Sequence, residues 1–160
     1  MFPDPLLDPI RRDVAELGFD LIDLRCSGPP ERPLLQLRID RPDGAPGPGV
    51  TVGDCAAVTR SLRHGLIADG RIGPEARVEV SSPGLDRPVR FPEHWRRYVG
   101  RWVRIRARDL HGHPRATIVA VPDEEHVSLR LADQTEIILA FRDLREAVLV
   151  ADENELKGKP

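Results

Sequence analysis

Ala76-Arg-Val-Glu-Val-Ser-Ser-Pro-Gly-Leu-Asp-Arg-Pro88 divides the chain. Up to Val80 the stretch alternates, with Ala76, Val78 and Val80 apolar against Arg77 and Glu79, the period of a half-buried strand. From Ser81 to Pro88, two prolines and a glycine in eight residues end that period. Proline removes an N–H and glycine loosens the backbone, so neither strand nor helix continues through them. The residues before this break read as one small domain and those after it as another.

Working toward the N-terminus, Thr51 is placed to cap a helix, with Asp54 in its first turn and Cys55, Val58, Leu62 and Leu66 as its apolar stripe; Gly70 and Gly73 mark its end. Arg41 to Gly49 carries three prolines and three glycines and is a loop. Before it, Leu35, Leu37 and Ile39 alternate with Gln36, Arg38 and Asp40. Phe19 to Cys26 places Ile22, Leu24 and Cys26 on one face and Leu21, Asp23 and Arg25 on the other. Proline-rich Ser27 to Pro33 joins these two runs, which should pair as a hairpin. Leu6, Leu7, Ile10, Val14 and Leu17 give a first helix, stopped by Gly18. The order helix, strand, strand, helix, strand predicts an α/β sandwich with two helices on a three-stranded sheet.

Working toward the C-terminus, Phe91, Trp95 and Tyr98 fit one or two helical turns, with Pro92 in the first turn. Beyond Gly100 the period returns to two. Trp102 to Arg108, Arg115 to Val121, Val127 to Leu131, Glu136 to Leu139 and Ala147 to Val150 read as short strands, a spacing that suggests a small β-barrel. The fold class is therefore α+β with two domains: 1–82, a linker over 83–90, 91–151, and a flexible tail over 152–160.

Composition narrows the function. The 160 residues hold 24 Lys plus Arg against 26 Asp plus Glu, so the chain is nearly neutral overall, but its charge is segregated. From Arg87 to Arg115 nine arginines face only Glu93 and Asp109, a balance of +7. From Asp123 to Glu155 three arginines face ten acids, a balance of −7. Of the 24 basic residues 22 are arginine, whose planar fork suits phosphate. No apolar run approaches the roughly 20 residues of a membrane span. Met1-Phe-Pro-Asp-Pro5 lacks the basic flank and apolar core of a signal peptide, so a cytoplasmic protein without membrane attachment is expected. Cys26 and Cys55 have no metal-ligand spacing and read as buried free thiols.

No catalytic constellation assembles. Ser81, Ser82 and Asp86 with the five histidines contain a nucleophile, an acid and bases, yet the serines lie outside any G-x-S-x-G elbow. His111-Gly-His113 falls in a hairpin turn with no third ligand spaced to it. Gly44, Gly47 and Gly49, interrupted by Pro46 and Pro48, do not form a phosphate cradle. No enzyme, no cofactor, no metal and no small-molecule substrate is expected. The informative feature is Trp102-Val-Arg-Ile-Arg-Ala-Arg108. Its alternation sends Val103, Ile105 and Ala107 inward and gathers Trp102, Arg104, Arg106 and Arg108 on the other face, three guanidinium groups and an aromatic suited to RNA backbone and base. The alternative is a strand whose arginines pair with the acidic segment beyond Asp123. Arg87 and Arg90 extend the candidate RNA-binding set.

Val78-Glu-Val-Ser-Ser-Pro-Gly-Leu-Asp-Arg-Pro88 resembles the central signature of the bacterial ribosome maturation factor RimP family. Leu17-Gly-Phe-Asp-Leu-Ile-Asp-Leu24, Leu37-Arg-Ile-Asp-Arg-Pro-Asp-Gly44, Thr51-Val-Gly-Asp-Cys55, Tyr98-Val-Gly-Arg-Trp-Val103 and Phe141-Arg-Asp-Leu-Arg-Glu-Ala-Val-Leu149 are similar to its other segments. The resemblance implies an N-terminal α/β domain followed by an SH3-like, Sm-like barrel. It implies a monomeric, non-enzymatic factor that binds the free 30S subunit, with 16S rRNA and small-subunit ribosomal protein twelve as partners, and promotes late assembly. A generic RNA-binding module acting off the ribosome is the alternative. Ser81, Ser82, Pro83, Gly84, Leu85, Asp86, Arg87 and Pro88 form the candidate interdomain signature. In it the prolines fix backbone angles, Gly84 permits a positive φ, and Asp86 with Arg87 is expected to bridge the domains.

Overall fold

A computed structural model describes residues 5–42, 49–83 and 87–150. The chain divides into two compact units, Pro3–Gly84 and Leu85–Pro160. Within the first, α1 (Leu7–Glu16), β1 (Asp20–Ser27), β2 (Leu34–Asp40), α2 (Val52–Ala68) and β3 (Arg77–Ser81) follow the expected order. The sheet order is β1-β2-β3. β1 and β2 form the antiparallel hairpin, whereas β3 runs parallel to β2, a pairing that needs a crossover; α2 supplies it.

Local chemistry sets the helix ends. At the start of α2 the Asp54 N–H donates to Thr51 Oγ1 (3.0 Å) and the Thr51 N–H donates to the Asp54 carboxylate (2.9 Å), a reciprocal capping box. At the end of α1, Gly18 takes φ +91°, while its N–H reaches the Ala15 carbonyl and the Phe19 N–H reaches that of Val14. Gly70 (φ +71°) closes α2 in the same way. Ile10 and Val14 of α1 and Val58, Leu62 and Leu66 of α2 are buried, as are Leu35, Leu37 and Ile39 of β2.

β1 departs from simple alternation. Leu21 pairs with Ile39 but Asp23 pairs with Arg38, so β1 uses one extra residue there, a bulge at Ile22. The inserted residue shifts the alternation, and Leu21, Ile22, Asp23 and Leu24 are all buried in succession. Leu21 is therefore not on a polar face with Asp23 and Arg25, as its spacing predicts. Cys26, expected in the core, is exposed, and Cys55 is half-buried; both are free thiols. Cys26 belongs to the exposed last three residues of β1, which the apolar layer does not cover.

The second unit opens with α3 (Pro92–Arg97), preceded by Phe91 in extended conformation without a side-chain cap and with proline in its first turn. β4 (Trp102–Ala107), β5 (Arg115–Ala120), β6 (His126–Leu131) and β7 (Glu136–Ala140) form an antiparallel meander. A 3-10 turn at Phe141–Asp143 then returns the chain, and β8 (Leu144–Leu149) pairs antiparallel with β4, giving the order β7-β6-β5-β4-β8. β8 starts three residues before the expected Ala147, because a register shift at Arg106/Ala107 lets Leu144 pair with Ala107. Residues 87–89 run beside β8: the Val89 N–H donates to the Ala147 carbonyl and the Leu149 N–H to that of Arg87. Trp95 is fully buried, its ring centroid 5.9 Å from that of Phe141, among Val103, Ile105, Ile118, Val127 and Leu129. Among the described residues, no helix is long and apolar enough to cross a membrane.

Candidate nucleic-acid interface

β4 is the central support of the candidate face. Its burial alternates strictly: Val103, Ile105 and Ala107 enter the core, while Trp102, Arg104 and Arg106 face outward. The core side anchors the strand, so the outward side chains stand in a fixed row, about 6.6 to 7 Å between successive outward residues at two strand rises. Trp102 keeps 43% of its surface exposed. Arg108, expected on the same strand, lies instead in the exposed turn beyond it, next to Asp109 at φ +65°. Its N–H donates to the Asp143 carbonyl, which ends the β4 ladder one residue early.

The arginines are not equivalent. Arg106 Nε lies 3.7 Å from Glu146 Oε2 of β8, its cross-strand partner, so its charge is partly answered within the sheet. Arg104 and Arg108 form no ion pair with any described residue. Pairing with the acidic segment therefore accounts for one of the three strand-and-turn arginines. Other members of the acidic segment engage different cations: Glu124 pairs with Arg96, and Glu136 lies 3.0 Å from Arg130. Arg87 and Arg90 are half-buried and engaged in interactions, which distinguishes them from the open Arg104.

One further residue belongs to the face. Arg115, on β5, places its guanidinium 4.3 Å from the centroid of the Trp102 ring, a cation–π stack. In register Arg115 lies directly opposite Arg104, and Thr117 opposite Trp102. Strand alternation in Arg115 to Val121 puts Arg115 and Thr117 on one face, but the pairing that brings them beside Trp102 is long-range. A groove of about 360 Å³ runs along this face, lined among others by Trp102, Arg115, Thr117, Arg130 and Gln134.

The signature segment is described only in part. Ser81 and Ser82 are exposed, Pro83 is half-buried with its carbonyl 3.5 Å from Arg38 Nη1, and Pro88 is buried and bridges to Val148. Gly84, Leu85 and Asp86 lie outside the described residues, and so does the Asp86 half of the expected Asp86–Arg87 bridge. Residues 43–48 of the proline-rich loop and the tail from 151 onward also lie outside them.

Three titrations are set by local contacts. The His126 ring, 2.9 Å away, and the Glu125 N–H hold the Asp123 carboxyl below the usual range. The Thr135 N–H does the same for Asp133. Burial, reinforced by Asp54, pushes the Cys55 thiol up. His111 and His113 stand exposed in the β4–β5 connection, and among the described residues no three His, Cys, Asp or Glu gather as metal ligands.

The sequence can be placed among known proteins. Residues 9–86, nearly the whole of the first unit, match the RimP N-terminal domain. A stretch of 110 residues is 39% identical to the ribosome maturation factor RimP of Variovorax paradoxus (strain S110), covering 62% of this chain and 50% of that relative. The match thus spans half the length of the curated relative. The domain match and the relative agree with the Val78–Pro88 motif and with the helix-strand-strand-helix-strand order of the first unit, and on that footing residues 9–86 form a RimP N-terminal domain.

Proposed function

We propose that this protein is a ribosome maturation factor that acts in the cytoplasm, binding the free 30S subunit as a monomer and promoting its late assembly without catalysis. The observation that carries the reading is the 39% identity to a ribosome maturation factor. The outward row of Trp102, Arg104 and Arg106, joined by Arg108 in the adjoining turn, adds chemistry suited to 16S rRNA, since open guanidinium groups bond phosphate and an exposed indole accepts a stacked base. Small-subunit ribosomal protein twelve is the proposed protein partner.

The second unit is proposed to be an SH3-like barrel. Support comes from the four-strand meander and the return of β8 onto β4 through a 3-10 turn. Its proposed extent is 91–151, with 1–82 as the first domain and 83–90 as a linker. Within that linker the proposed role of Asp86 and Arg87 is to set how the two domains meet the subunit; their joint replacement by alanine is expected to lower 30S affinity.

The test is sedimentation of the purified protein with separated 30S, 50S and 70S particles at two salt concentrations. Salt-sensitive co-migration with 30S alone is expected. A folded protein that leaves 30S unbound at both concentrations refutes the reading and favours an RNA-binding module acting off the ribosome.

A further inference from the structure

The outer face of β4 and β5 contains an electrostatic conflict beside a groove. Arg104 and Arg115 face each other in register on adjacent antiparallel strands, and like charges so placed repel. Neither forms an ion pair with a described residue. Arg115 lies instead over the Trp102 ring, 4.3 Å from its centroid. An anion seated between the two guanidinium groups removes the repulsion and gains charge-assisted hydrogen bonds. Arg130, at the far side, is already matched by Glu136 at 3.0 Å, so the unanswered charge concentrates at Arg104 and Arg115.

The groove next to this pair has the size and lining for a planar ring. Its volume, about 360 Å³, falls at the small end of ligand pockets. Exposed Ala132 and partly buried Leu131 give it apolar surface, Trp102 and Arg115 provide a stacked pair of planes, and Gln134 is a lining residue with an amide able both to donate and to accept. Gln134 is also held at φ +74° in the β6–β7 turn, where glycine is the unstrained choice. Its N–H donates to the Leu131 carbonyl (2.9 Å) in that turn, a role that glycine fills equally well. The turn therefore holds a strained, amide-bearing residue among those that line the groove.

We infer that this groove clamps one unpaired nucleotide of single-stranded RNA, with its phosphate between Arg104 and Arg115, its base against Trp102 and its base edge read by the Gln134 amide. The inference rests on the ribosome-directed reading above for its choice of RNA. A paired base is ruled out as the occupant, because its faces are covered by its neighbours in the duplex. An acidic side chain satisfies the arginines but carries no planar ring to extend the Trp102–Arg115 stack, whereas a nucleotide brings anion and ring in one unit.

The experiment uses the full chain and labelled RNA of about eight nucleotides, single-stranded or as a duplex of the same sequence. Trp95 is fully buried and Trp102 exposed, so Trp102 emission reports stacking directly. Single-stranded RNA is expected to quench that emission and duplex RNA to leave it unchanged. Trp102→Leu should weaken single-strand binding by roughly tenfold, the scale of one lost base stack. Gln134→Gly should weaken it by about fivefold, one lost hydrogen bond, while raising the urea midpoint because the strain is relieved. Equal quenching by duplex, displacement by polyglutamate as effective as by RNA, or unchanged RNA affinity in either variant overturns the clamp. Parallel 30S sedimentation separates the two readings. Co-migration with 30S but no single-strand quenching overturns the clamp alone, and quenching without 30S binding supports the clamp while refuting the ribosome-directed reading.

Discussion

Arg104, Arg106 and Glu146 allow a quantitative test of the charged face. Each phosphate contact releases condensed counterion, so removing one contact lowers the slope of log affinity against log salt by about 0.7 on a single strand and about 0.9 on duplex. Arg104 has no ion-pair partner among the described residues, whereas Arg106 already faces Glu146 at 3.7 Å. Arg104→Ala should therefore flatten the slope for 30S binding by close to one full contact, about 0.7 to 0.9. Over a fourfold rise in salt that is about threefold in affinity. Arg106→Ala should flatten it by less, since part of its charge is spent on Glu146. The more discriminating variant is Glu146→Gln, which leaves Arg106 in place and frees its guanidinium. It should tighten binding and steepen the slope. Filter binding or sedimentation of 30S at four or more salt concentrations measures all three, and the Arg104, Arg106, Arg108 triple variant should lose at most ~2 to 3 slope units. Equal slopes for Arg104→Ala and Arg106→Ala, or no change with Glu146→Gln, would refute the reasoning that internal pairing grades these arginines.

Other consequences concern stability and reactivity. Thr51→Ala removes one arm of the capping box of α2 and should cost about 1 kcal/mol by urea denaturation; Asp54→Ala in that background should cost little more, because the two arms act together. Asp123 has its folded-state pKa lowered, so the contact stabilises the fold above the usual carboxylate range and fades as pH falls through the folded value. His126→Ala should move the Asp123 titration upward in a carboxyl-resolved NMR experiment, with an unchanged midpoint counting against the assignment. Cys26 is exposed and Cys55 half-buried with a raised pKa, so a thiol reagent near pH 7 should label Cys26 first. Peptide mapping of the singly labelled species decides this.

What was legible in the sequence was what neighbouring residues decide. The stripe Ile10 and Val14 follows from helical period, and the Thr51–Asp54 cap from the hydrogen-bonding needs of a helix start. The inward Val103, Ile105, Ala107 and outward Trp102, Arg104, Arg106 follow from strand pleat. Each involves groups within one turn or one strand, so composition and spacing carry the information. Tertiary pairing decided the rest. The bulge at Ile22 exists because β1 must match β2, and that match, not period, buries Leu21 beside Ile39 and leaves Cys26 beyond the covered surface. The return of β8 onto β4 places Glu146 beside Arg106, and the β4–β5 register sets Arg115 against Arg104 and over Trp102. Arg104 and Arg115 are eleven positions apart in the chain, and a one-residue slip of β5 would turn Arg115 to the core face. The sequence by itself determined which side chains share a face; only the fold determined which faces meet, because strand register is settled by non-local hydrogen bonds and core packing rather than by any local pattern.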